Sequence, residues 1–204
     1  MRIATVMGMA SSPVEAVTCE VPVLFTSTEG QTALIAIRLS TILREHGFDS
    51  RALDMADPDA AALDWTCVHG ALVGASIHMG RHQKAAKTFV HAHASDLNAV
   101  PSAFFSVSLS AASRNQKEVY AAEQLARMFP PKHEWKPYRI VSVAGRLAYL
   151  EYGFLKRMVM KWIARKEGAP TDASRDYELT NWKVVDQLGH DMAALITSRT
   201  AATA

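Results

Sequence analysis

Apolar positions along the chain alternate between two patterns. One is a short unbroken run rich in β-branched and aromatic residues, as in a strand covered on both faces. The other recurs every three or four residues, as on a helix that buries one side. Val21-Pro22-Val23-Leu24-Phe25 is the first short run, and Pro22 is tolerated because it stands at the strand's start. After the polar stretch Thr26–Thr32, residues Leu34, Ile35, Ile37, Leu39, Ile42 and Leu43 form a helical stripe that stops ahead of Gly47. Arg51–Met55 reads as a second strand, broken by Asp57-Pro58-Asp59. Gly70–Ser76 is apolar throughout and reads as a third strand. A loop over Ile77–Arg81 and a helix over His82–Leu97 follow. Ala103–Val107 is a fourth strand, Gln116–Phe129 a helix, Arg139–Ala144 a fifth strand and Asn181–Thr197 a closing helix.

Five strands alternating with helices predict an α/β fold, a five-stranded parallel sheet with helices on both faces. The order 2-1-3-4-5 puts the topological switch point between strands 1 and 3. Residues 20–204 are expected to form one domain, with 1–19 an N-terminal extension outside it. Ser11, Ser12, Pro13 and Glu15 interrupt that extension too often for a secretory signal.

In an open parallel sheet the ligand sits outside the carboxyl ends of the strands, beside the switch point. The loop after strand 1 is Thr26-Ser27-Thr28-Glu29-Gly30-Gln31-Thr32. It combines four hydroxyls and a glycine with the start of a helix, where unpaired N–H groups favour a phosphate. It carries neither the lysine of a nucleoside-triphosphate loop nor the three glycines of a dinucleotide fingerprint. The expectation is a phosphate monoester held by hydroxyls and backbone, with Glu29 turned away; the competing reading is a simple Ser/Thr helix cap. The loops after strands 3 and 4 are Ser76-Ile77-His78-Met79-Gly80 and Ser108-Leu109-Ser110, small enough to pass backbone along the edge of a flat ring.

Between strand 5 and the last helix lie 36 residues, Gly145–Thr180, that a plain fold of this type does not need. Tyr152, Leu155, Val159, Trp162 and Ile163 recur at helical spacing there. From Arg146 to Lys166 six basic residues and one acidic residue give +5, more than the whole chain's +2. A basic amphipathic segment of this kind suits a membrane interface or partner, a large apolar anionic substrate, or plain packing.

These segments together resemble the flavodoxin-type, quinone-dependent protoporphyrinogen oxidases of bacteria. The resemblance runs from about Val21 to Ile196. It is carried by Leu24–Thr32 around Gly30-Gln31-Thr32, Gly74-Ala75-Ser76-Ile77 and Pro101–Val107. Ala144-Gly145-Arg146-Leu147, Thr171-Asp172 and Thr180-Asn181-Trp182 complete it. It implies a flavodoxin-like fold holding FMN. Thr26, Ser27, Thr28, Glu29, Gly30, Gln31 and Thr32 would bind its phosphate. Ser76, Ile77, His78, Met79 and Gly80, with Ser108, Leu109 and Ser110, would flank the ring. Relatives commonly have Tyr where Met79 stands, so ring stacking falls to a thioether. The implied reaction is oxidation of protoporphyrinogen IX to protoporphyrin IX, with a membrane quinone as acceptor, in heme biosynthesis. His78 is the candidate proton acceptor. Arg146, Tyr149, Tyr152, Lys156, Arg157 and Trp162 are candidate substrate or membrane contacts. The implied location is cytoplasmic and peripheral to the inner membrane; a homo-oligomer is compatible with it. Two other readings share the fold: an electron-transfer module without its own substrate, and a flavin-free tetrapyrrole-binding protein.

Composition narrows these readings without choosing among them. Net charge near zero argues against a general nucleic-acid binder. Two cysteines, Cys19 and Cys67, make no disulfide framework. His78 and His82 stand four apart but have no third ligand nearby, so no metal is expected. Trp65 and Trp135 read as packing residues. No apolar run approaches the roughly 20 residues that cross a bilayer.

Overall fold

A computed structural model describes residues 20–147 and 176–203, together with Arg165, Asp172 and Ser174. The N-terminal extension and most of the basic segment, including Tyr149, Tyr152, Lys156, Arg157 and Trp162, lie outside the described residues.

The parallel strands are β1 (Val23–Thr26), β2 (Ala52–Asp54), β3 (Ala71–His78), β5 (Ser102–Ser108) and β6 (Arg139–Ala144). They stand in the order β2-β1-β3-β5-β6, which is the expected 2-1-3-4-5 with one extra strand counted. That extra strand is β4 (Arg81–His82), antiparallel to the end of β3 through Ile77↔His82 and His78↔Arg81. Ile77 and His78 are therefore strand, where the sequence predicts loop, and His82 is strand rather than helix. Met79 (φ 49°) and Gly80 (φ 73°) make the tight reversal between them.

The helices are α1 (Gln31–Glu45), α2 (Pro58–Ala61), α3 (Lys84–Ala92), α4 (Ala94–Ala99), α5 (Gln116–Met128) and α6 (Trp182–Thr203). The expected helix over 82–97 is two helices, broken at His93. There Nδ1 meets Asp96 Oδ2 at 3.1 Å and the ring stacks on Trp65. Strand β2 ends at Asp54, ahead of the expected break at Asp57-Pro58-Asp59, and Pro58 there stands in the first turn of α2, where its missing N–H costs nothing.

Side-chain alternation along the strands separates two cores. Val23, Leu72, Ala103, Phe105, Val107 and Val143 face α1 and α6, meeting Ile35, Leu39, Leu43, Val185, Leu188 and Ile196. Leu24, Val73, Ala75 and Phe104 face the other way, onto Phe89, Val90, Leu97, Phe129 and Trp135. Arg38–Asp186 (2.8 Å) ties α1 to α6, and Arg139–Asp191 (2.8 Å) ties β6 to α6. Two short strands, β7 (Arg146–Leu147) and β8 (Tyr177–Glu178), which flank the basic segment in sequence, pair antiparallel. Among the described residues no helix is long and apolar enough to cross a membrane.

Candidate functional site

The carboxyl ends of β1, β3, β5 and β6 converge on one cleft. It is lined by Ser27, Glu29, Gln31 and Thr32 from the first loop, and by Ser76, Ile77 and His78 from β3. Ser108 at the end of β5 and Leu109 just after it, with Gly145 and Arg146 beyond β6, complete the wall. The structure thus gathers ten of the sequence-predicted positions around one opening and adds Val107 and Gly145. Two other hollows, over α3 and between α1 and α6, are lined by none of these loops.

The phosphate end is built by the start of α1. Gly30 is its N-cap in the left-handed conformation (φ 81°), and no side chain caps the helix. A glycine N-cap offers its first-turn N–H groups no hydroxyl or carboxylate of its own, unlike a Ser, Thr or Asp at that place. A Cβ placed on Gly30 would meet nothing within 4 Å, so the backbone is open to close approach. The first turn carries no acidic residue, leaving the positive end of the helix dipole uncancelled from within. A phosphate monoester fits this donor set, as an anion that needs N–H and O–H donors and no lysine.

Two glutamine carboxamides hold the loop from opposite sides. Gln31, only 3% exposed, donates through Nε2 to Thr180 Oγ1 (2.9 Å) and Glu178 Oε1 (3.2 Å). Thr180 Oγ1 donates onward to Ala144 O (2.8 Å), and Thr180 N to Glu178 Oε1 (2.9 Å). The first residue of α1 is thereby tied to the return strand β8 and the end of β6. Gln31 Oε1 is buried and has no hydrogen-bond partner among the described residues. On the other side, Gln83 reaches Thr26, Thr28 and Ser76. Neither Gln83 nor Glu178 is recognisable in the sequence, since each reaches the site only through tertiary contact.

The ring end is less enclosed. Ser108 Oγ accepts from Ala111 N (3.2 Å), and Gly145 N donates to Ser108 O (3.1 Å), closing the β5 and β6 loops together. Ser110 opens a 3₁₀ turn just beyond. His78 and Gly80 are exposed, and Met79, 90% exposed, projects at the tip of the β3–β4 turn. Arg146 is half-buried at the mouth. His82 points away from the cleft, into the sheet's other face, where Nε2 meets Ser106 Oγ at 2.9 Å. Trp135 is fully buried, as the packing reading expects.

This arrangement of strand order, uncapped first helix and loop cluster defines a flavodoxin-type domain. A family model described as a flavodoxin domain matches residues 22–174, and a flavodoxin domain implies flavin binding. The protoporphyrinogen IX dehydrogenase (quinone) of Escherichia coli K12 is 32% identical over 173 residues, covering 85% of this chain and 94% of that protein. Its counterpart in Leishmania major is 32% identical over 177 residues, covering 84% of this chain and 74% of that protein. Rubredoxin oxygen:oxidoreductase from Desulfovibrio gigas aligns structurally with a TM-score of 0.51 at 10% identity. That alignment covers 89% of this chain and 37% of that one and speaks to the fold alone. The chain belongs to the flavodoxin-domain family of quinone-dependent protoporphyrinogen IX dehydrogenases.

Proposed function

We propose that this chain is an FMN-dependent oxidoreductase that converts protoporphyrinogen IX to protoporphyrin IX and passes the electrons to a membrane quinone. The observation that carries this reading is the uncapped, glycine-opened start of α1 beside the switch point, facing the β3 and β5 loops. The naming of its relatives supports the substrate and acceptor. FMN, when bound, supplies the two-electron redox chemistry.

The chain's own groups bind and orient. Ser27 and Thr32 hydroxyls and the first-turn N–H groups of α1 would hold the phosphate, with the helix dipole offsetting its charge and Thr28 holding the loop through Gln83. Ser76, Ile77 and Leu109 would pass along the ring edge. Arg146 at the mouth would face a substrate propionate, where a planar guanidinium can donate two parallel hydrogen bonds. The full conversion needs three successive two-electron oxidations, each followed by reoxidation by a quinone, and His78 Nδ1 or Nε2, exposed at the rim, would take the proton released in each. The basic segment between β7 and β8 would face substrate or the inner-membrane surface, from the cytoplasmic side.

The visible absorption of the purified protein, followed by release and identification of its chromophore, tests the site. Near-stoichiometric FMN is expected, followed by turnover of protoporphyrinogen IX with a quinone. A colourless protein that takes up no added FMN would sink the reading. Bound FMN without tetrapyrrole turnover would instead favour an electron-transfer module.

A further inference from the structure

Gln83 stands immediately after β4 and is the N-cap residue of α3, yet it does not cap that helix with its side chain. Its carboxamide reaches across to the phosphate loop. With the amide nitrogen turned toward acceptors, Nε2 donates to Thr26 Oγ1, Thr26 O (3.1 Å) and Ser76 Oγ (3.3 Å). Oε1 accepts from Thr28 Oγ1 (2.6 Å) and Thr28 N (3.2 Å). One side chain thus joins the end of β1, the loop after it and the end of β3. It hangs from the β3–β4 hairpin, whose turn carries His78, Met79 and Gly80.

An amide suits this position for a chemical reason. It offers two protons and two lone pairs from one planar group, and here both ends are used. Thr26 O and Thr28 N are backbone groups with fixed polarity, an acceptor and a donor. A carboxylate would satisfy Thr28 but set oxygen against Thr26 O. A hydrocarbon would satisfy neither. Resting on the flavin reading above, we propose that Gln83 is a positioning residue for the phosphate end of the flavin site. It fixes Thr28 relative to β3 and so sets the distance between the phosphate cradle and the ring-edge hairpin. Pre-organisation of this kind raises affinity by lowering the ordering cost at the moment of binding.

The test compares FMN with riboflavin, which has the ring and lacks the phosphate, on apoprotein of wild type, Gln83→Leu and Gln83→Glu. Loss of the amide is expected to weaken FMN about tenfold in Gln83→Leu, the scale of one or two lost hydrogen bonds. Gln83→Glu is expected to weaken it by roughly a further tenfold, because a carboxylate then stands near the phosphate. Riboflavin affinity should move no more than about twofold in Gln83→Leu, since its binding makes no use of the phosphate cradle. Equal weakening of both ligands, no change, or tighter FMN binding would overturn the proposal; the last would mean that Gln83 only competes with the phosphate. A second readout needs no flavin. Amide hydrogen exchange in a peptide covering residues 26–32 should be faster in Gln83→Leu, with a peptide covering β5 unchanged. Unchanged exchange at 26–32 would also overturn it. Wild-type protein that binds no flavin would defeat the functional reading, while the exchange comparison still decides the role of Gln83.

Discussion

The two faces of the sheet are filled by different chemistry. Against α1 and α6 the core is mainly aliphatic: Ile35, Leu39, Leu43, Leu188 and Ile196 close over Val23, Leu72 and Val143. Against α3, α4 and α5 it is aromatic and partly polar. Phe104 stacks on Phe129 (centroids 4.8 Å, 16°) and meets Trp135 edge-on (5.8 Å, 76°). His82 packs on Phe129 at 4.6 Å. Trp135 Nε1 donates to Ser102 Oγ (2.9 Å), which donates to Leu97 O (2.8 Å). An aliphatic face tolerates reshuffling of similar volumes, whereas an aromatic face with buried donors fixes ring positions one by one. The difference is that the second face has more to lose from a single change.

The largest expected effect follows directly. Phe104 is fully buried and touches three rings, so Phe104→Ala should cost about 3–5 kcal/mol in denaturant unfolding. Leu39→Ala on the aliphatic face should cost about 2–5 kcal/mol. A Phe104→Ala loss well below that of Leu39→Ala would break the comparison.

Next comes pH. Burial, with Lys87 and His133 nearby, pushes the His82 imidazole down from 6.5 to about 4. The folded state therefore holds His82 neutral, while the unfolded chain binds a proton below pH 6.5. The stability due to neutral burial is fully present above about 6.5 and is lost as pH falls toward 4. A shift of this size corresponds to about 3 kcal/mol across that window. Unfolding free energy from pH 7 to pH 4 should fall more steeply in wild type than in His82→Gln. Parallel curves would mean that His82 does not titrate as a buried group. Nothing comparable is expected on the aliphatic face, whose buried core residues do not titrate.

The aliphatic face has its own tight place. A Cβ on Gly74 would come within 2.1 Å of the Phe105 ring, its partner on the neighbouring strand. Gly74→Val should destabilise by about 1–3 kcal/mol or more, as overpacking does. Gly74→Val combined with Phe105→Leu should recover part of that loss, measured in a double-mutant cycle. No recovery would mean that something other than the ring makes glycine necessary at 74.

The parallel sheet was legible because its central strands, β3 and β5, are buried on both faces and read as nearly unbroken apolar runs. Arg139–Ala144 matches to the residue, and Gln116 opens its helix where expected. The first loop was legible because hydroxyls, glycine and a helical stripe follow a strand. What escaped is tertiary. β4 is two residues long, Arg81 and His82, with no periodicity to announce it; its pairing depends on the reversal at Met79 and Gly80. Gln83 and Glu178 lie dozens of residues or more from the loop they hold and carry no local pattern. His82 was considered for its spacing from His78, but cross-strand pairing turns it inward, toward Ser106.

Two helices begin at the same end of the sheet and begin differently, which makes the smallest effect the most informative. α5 is capped by its own chain: Asn115 Oδ1 accepts from Lys117 N at 3.0 Å. Its buried residues are only Ala122 and Ala126, so little packing anchors it. α1 buries Ile35, Leu39, Ile42 and Leu43 and has no side-chain cap. A well-anchored helix can leave its first turn unsatisfied for a ligand; a weakly anchored one depends on its cap. Asn115→Ala should therefore cost about 1 kcal/mol, and by the same amount with or without FMN. Over the same pair of conditions, wild-type protein should gain stability on adding FMN, because the ligand binds only the folded state. If FMN offsets the Asn115→Ala loss specifically, the anion sits at α5, and the assignment of the phosphate to α1 falls.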